Sequence, residues 1–107
     1  MSYTRYTISV GLNDKDTKAP RDTFERAGVE IAGRFAQIEQ GATITKGTGV
    51  YKHEDGTAVI EDTVIITVID FDGRFGQIMG EFIDKIKRDY NQESVAVMID
   101  KVVSELR

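Results

Sequence analysis

The amino-acid sequence predicts an α+β fold of the ferredoxin-like kind, in the order β-α-β-β-α-β, with a four-stranded antiparallel sheet and two helices on one face. Three observations point there. Asp62–Phe71 (DTVIITVIDF) carries Val64, Ile65, Ile66, Val68 and Ile69, a β-branched run interrupted only by Thr67. A strand with one wet face alternates apolar and polar residues, whereas one buried on both faces reads as such a near-continuous run. Two stretches with apolar residues at three- and four-residue spacing flank the central pair of strands, the mark of amphipathic helices. An alternating strand lies near each end of the chain.

Each element follows in order. Tyr6, Ile8, Val10 and Leu12 alternate with Thr7, Ser9 and Gly11, predicting a first strand over Tyr3–Leu12. The polar segment Asn13–Ala19 ends at Pro20 and leads into a helix start, where Asp22 and Glu25 have capping-box spacing. Phe24, Ala27, Gly28, Ile31, Phe35 and Ile38 then form one apolar face, with Glu30 and Arg34 as an i,i+4 pair on the solvated side and Gly41 as the stop. Ala42–Lys52 reads as a second strand, and its Gly47-Thr48-Gly49 predicts a bulge or a close backbone approach. Glu54-Asp55-Gly56-Thr57 is a hairpin turn into the central strand, which begins near Ala58. After Asp72-Gly73, the residues Phe75, Ile78, Met79, Phe82, Ile83, Ile86 and Tyr90 make the second helix, with Asn91 as its left-handed cap. Gln92–Ile99 reads as the last strand. Lys101–Arg107 fits either an extension of that strand or a tail folded over the sheet.

Composition narrows the function classes. With 107 residues, 40% hydrophobic and 30% charged, the chain is expected to form a single domain, residues 1–107, with one core. No apolar run is long enough to span a bilayer, and MSYTRYTISV lacks the basic-then-apolar pattern of a secretory signal, so no membrane partner is expected. There is no cysteine, which removes disulfides, thiol nucleophiles and thiolate metal sites, and leaves the cytoplasm as the default location. A net charge of −4 with no basic cluster beyond Lys85, Lys87 and Arg88 argues against nucleic acid. Right-handed crossovers put both helices on one face of the sheet. Val64, Ile66 and Val68 fall on one face of the central strand and Ile65, Ile69 and Phe71 on the other. One set therefore stays uncovered, which predicts a homo-oligomer assembled through the sheet face.

Three stretches carry a family resemblance. They are Gly41-Ala42-Thr43-Ile44 running to Gly49-Val50-Tyr51, then Lys52–Glu61 (KHEDGTAVIE), then Asn91-Gln92-Glu93-Ser94-Val95 after a tyrosine-ended helix. Together, over Thr4–Val103, they resemble an uncharacterised bacterial domain family of small ferredoxin-like proteins, with Gln-Glu-Ser-Val opening the last strand as the most distinctive part. The resemblance supports the fold, implies no activity, and extends to proteins of phages and mobile elements.

Candidate functional residues are few. His53, the only histidine, stands beside Tyr51 and Glu54 at a hairpin mouth, a group able to do acid–base work but also an ordinary exposed turn. Gln92, Glu93 and Ser94 sit between helix and strand, where their side chains can bind a ligand or satisfy turn backbone. Ser94 has no paired base and is a poor nucleophile. Gly41–Gly49 lacks the spacing of a phosphate loop, and Asp70-Asp72-Gly73 lacks the ligands of a calcium loop. No catalytic constellation, metal site or cofactor is expected. Arg5, Lys46, Tyr51, Lys52, His53, Gln92, Glu93 and Ser94 are the candidate ligand-binding residues, with Arg5, Lys46 and Lys52 as contacts for a small anion.

The reading these residues favour is a non-catalytic oligomeric binding module. Through the mobile-element resemblance, it would inhibit a host defence system by sequestering a small nucleotide-like ligand or by docking on an effector protein. The alternatives are a small dimeric ferredoxin-like enzyme using Tyr51, His53 and Glu93, and a structural assembly subunit.

Overall fold

The computed structural model describes residues 2–52 and 54–107. Its elements are β1 (Ser2–Gly11), α1 (Phe24–Gln37), β2 (Thr43–Lys52), β3 (Ala58–Asp70), α2 (Arg74–Asp89) and β4 (Ala96–Val103). The sheet order is β2-β3-β1-β4, and every neighbouring pair is antiparallel. The α+β ferredoxin-like architecture is therefore as the sequence predicts. The β-branched run lies at the centre of the sheet in β3, hydrogen-bonded on both edges.

Parity along the strands decides what faces the helices. Tyr6, Ile8 and Val10 of β1 pair with Val68, Ile66 and Val64 of β3, and all six are buried in one core. Ala27, Ile31 and Phe35 of α1 and Phe75, Ile83 and Ile86 of α2 close that core from above. Phe75 makes an edge contact with Tyr6 at 5.3 Å between centroids and stacks on Phe35 at 5.8 Å, so the helical aromatics are core, as their spacing indicates. Arg34 pairs with Glu30 on its own helix and with Asp89 of α2 at 2.8 Å. The side of α1 expected to be merely solvated therefore ties the two helices together.

Four local expectations need correction. The helix N-cap is Thr23, whose hydroxyl accepts from Arg26 N, and not its equally suitable neighbour Asp22. The first helix ends before Gly41, through Ile38 and a left-handed Glu39. The glycines of β2 make no bulge, since pairing with β3 runs without a slip from Thr43↔Thr67 to Lys52↔Ala58. They make room instead: an added Cβ would meet Ile65 at 2.6 Å from Gly47 and Thr63 at 2.7 Å from Gly49. Finally, β4 begins at Ala96, because Gln92 N still bonds back to Lys87 O at the end of α2. It runs on to Val103, so the first three residues of the ambiguous segment extend the strand and the last four lie beyond it. Leu106 beyond it is 86% exposed and does not cover the sheet.

Candidate functional site

The uncovered face carries the odd-numbered residues of β1, β2 and β3 and the even-numbered residues of β4, as the pairings Ser9↔Ile65, Ser9↔Ala96 and Tyr51↔Val59 fix. At the end of this face where β1 stops, a cavity of about 520 Å³ opens. Its floor is Ser9 and Gly11 of β1 with Glu61, Thr63 and Ile65 of β3. One wall is Thr48–Lys52 of β2, and the other is Gln92, Glu93, Ser94 and Ala96. Glycine at 11 and 49 is what makes it deep: at both positions a side chain would run into Glu61 or Thr63.

Glu61 is the chemical centre of the cavity. It is only 5% exposed although it lies on the face without helices. The segment after β1 buries it: Asn13 N donates to Glu61 Oε2 at 2.6 Å, and the Tyr51 hydroxyl bonds to the same carboxyl group. Burial first, and then that bond to Glu61, raises the Tyr51 phenol above its ordinary range, with the charge of Glu93 adding to the effect. Tyr51 is thus held as a neutral donor against a carboxylate. Ser9, Thr63 and Ser94 add hydroxyls around this pair.

The wall segments are stapled together. Gln92 is buried, and its Nε2 donates to Asn13 O at 2.9 Å and to Tyr90 O at 2.8 Å. Asn91 Nδ2 donates to Asp14 Oδ2 at 2.9 Å, and Lys15 N donates to Asn91 O at 3.0 Å. Asp14 is held well below the usual carboxylate range, first by Thr17 N, then by Asn91 and Asp16 N, with a smaller contribution from Arg21. Lys18 reaches Asp55 at 3.5 Å and links this loop to the tip of the β2–β3 hairpin.

Of the residues singled out in the sequence, Tyr51, Lys52, Gln92, Glu93 and Ser94 line this one cavity. Lys46 has the opposite parity. It lies over the Phe24 ring at 5.9 Å and pairs with Asp62 at 3.7 Å on the helix side. Arg5 shares the uncovered face but sits beyond the cavity, paired with Asp100 at 2.6 Å. His53 lies outside the described residues. Sequence reasoning missed Glu61, Thr63, Ser9 and Gly11. The available signal was the parity of β3, which puts Glu61 and Thr63 on the same face as Ile65 and opposite the glycines of β2. Among the described residues, the cavity has Glu61 and Glu93 against Lys52, a balance that favours a ligand carrying positive charge.

No model of a known protein family matches the sequence, and no curated protein does. Two solved structures are similar to the chain. One is a phage SAM lyase in complex with S-methyl-5′-thioadenosine, 27% identical, with a TM-score of 0.74 over 92% of this chain and 80% of that one. The other is a phage SAM lyase in its apo state, 23% identical, with a TM-score of 0.73 over 99% of this chain and 93% of that one, which bears on the fold. Small phage proteins as neighbours agree with the mobile-element association expected from the sequence. They overturn the non-catalytic sequestering module: the similar protein at 27% identity is an enzyme, and what it holds is a nucleoside thioether. The expectation was drawn without Glu61, the buried acid of the cavity.

Proposed function

We propose that this chain is a lyase that cleaves S-adenosylmethionine (SAM) and releases S-methyl-5′-thioadenosine. The observation that carries the reading is the likeness to a phage SAM lyase holding that thioether, over nearly the whole chain. Fold alone would not carry it. Support comes from the cavity, whose buried Glu61 and rim Glu93 suit a sulfonium and an ammonium, while its hydroxyls suit a ribose.

Release of the thioether breaks the bond between sulfur and the γ-carbon of the methionyl chain, and the sulfonium leaves as a neutral group. Without water, the four-carbon remainder either closes on its own carboxylate as a lactone or loses a β-proton to an alkene. Glu61 already accepts from Asn13 N and Tyr51, which favours its holding the substrate and leaves the internal carboxylate as the attacking group. Tyr51 keeps the Glu61 carboxylate aimed into the cavity.

The chain would act as a homo-oligomer through the sheet face, because Met98 and Phe71 remain exposed there beside half-buried Ile65 and Ile69. It would work in the cytoplasm and need no cofactor. By destroying the methyl donor it would disarm methylation-dependent host defence.

Incubation with SAM in ¹⁸O-water, followed by mass spectrometry, tests the chemistry. The thioether should appear in equal amount to SAM consumed, with no ¹⁸O on the γ-carbon of the partner product. Label at that carbon would mean hydrolysis, and an alkene would place the β-proton loss at the site instead.

A further inference from the structure

We infer that Gln92 is a positioning residue that fixes the Glu61 carboxylate through the main chain of Asn13. The inference rests on the lyase reading for its kinetic arm only.

The geometry is a short relay. Glu61 projects from β3 just beyond its last pair with β1, and its Oε2 is held by Asn13 N at 2.6 Å. Asn13 belongs to an irregular segment and has no regular strand partner beyond a bridge to Pro20. Its neighbours are anchored separately, Leu12 N to Asp62 O at 3.0 Å and Asp14 N to Ala19 O at 2.8 Å. The Asn13 carbonyl itself is held by Gln92, whose amide nitrogen spans Asn13 O and Tyr90 O. Tyr90 O is fixed in turn, since it lies at the C-cap of α2, where Tyr90 N bonds to Ile86 O at 3.0 Å. The end of a helix packed in the core is thereby coupled to the orientation of one carboxylate. A carboxylate at this site could turn about its side-chain bonds, and catalysis by charge placement is lost when such a group moves by about an ångström. Glutamine suits the task because its two amide hydrogens can serve two carbonyl oxygens at once.

Gln92 also lines the cavity, so two readings of its role must be separated. A substrate contact would change KM. A residue acting through Glu61 changes kcat and loses its effect when Glu61 is already altered.

The test uses Gln92→Met, which keeps the side-chain length and removes both donors, and Gln92→Glu, which sets a carboxylate against the two carbonyl oxygens. Amide hydrogen exchange is read by NMR at Asn13, with Ile8 in the core as the internal control. Turnover of SAM is read in the wild-type and Glu61→Gln backgrounds. Both variants should speed exchange at Asn13 by about tenfold or more while Ile8 is unchanged. Each should lower kcat by about tenfold with KM within roughly threefold, and cost less than about twofold more in the Glu61→Gln background. Unchanged exchange at Asn13 overturns the inference, as do kinetic losses that multiply in the double variants. Faster exchange at Ile8 as well would show general loosening and also overturn it. If the wild-type protein releases no thioether, the lyase reading fails, and exchange at Asn13 alone decides the positioning role.

Discussion

Glu61 lies directly over Gly11: a Cβ built at residue 11 would fall inside the Glu61 carboxyl group. The two residues come from adjacent central strands, and the missing side chain on β1 is the space that the carboxylate occupies. A buried acid on a sheet face without helices therefore depends on a glycine across the strand as much as on its hydrogen bonds.

Gly11→Ala should consequently move Glu61. Overpacking a well-filled site costs about 1–3 kcal/mol, so the variant is expected to fold with a lowered melting temperature. Release of S-methyl-5′-thioadenosine from SAM should drop by about a hundredfold, because the displaced carboxylate no longer faces the substrate. Thermal melts and a thioether assay on the same preparation check both parts. Full activity in a folded Gly11→Ala protein would show that Glu61 need not occupy this niche.

Acid sensitivity should trace to Asp14. Its carboxylate is held below the usual range by Thr17 N first, then Asn91 and Asp16 N, with Arg21 adding less. A carboxyl group whose folded pKa is depressed contributes stability that is complete above the unfolded value of about 3.9 and is lost as pH falls through the folded value. Asp14→Asn should thus melt below the wild type at neutral pH, with the gap narrowing as pH falls below about 4. Melting curves across that range check it. A gap that stays constant would mean the cluster does not depend on the Asp14 charge.

The two faces of β3 should respond differently to the same substitution. Ile66 is fully buried beneath the helices, and an aspartate there is expected to cost about 4 kcal/mol or more, enough to prevent folding. Ile65 is half-buried on the uncovered face, where it fills the space over Gly47. Ile65→Asp should fold and remain a monomer while the wild type assembles, as read by light scattering on a sizing column. A wild-type monomer would remove the sheet-face oligomer.

Much of this was legible in the sequence, for physical reasons. The β-branched run could only be a central strand, the Asp-Gly pair could only turn tightly, and Gly56 indeed sits at φ 86°. Asn91, at φ 47°, takes the left-handed cap its side chain tolerates. The helix start was displaced by one residue because Asp22 and Thr23 are both good caps, and only the loop's path chooses between them. The start of β4 was misplaced because the alternation around Val95 persists through a turn whose backbone still serves α2. Lys46 was readable as a helix-side residue from its parity with Ile44. Glu61 was not readable in the same way. A lone glutamate in a strand looks solvated, and its burial comes from Asn13 and Tyr51, each brought to it by non-local folding.

The most direct test compares wild-type protein with Glu61→Gln for release of S-methyl-5′-thioadenosine from SAM, after a melting curve shows both folded. Glutamine keeps the size of the side chain and removes its charge. The wild type should convert SAM completely, and the variant should be slower by about a thousandfold or more. SAM recovered intact from the wild type, or equal rates for the two proteins, would contradict a lyase site built around Glu61.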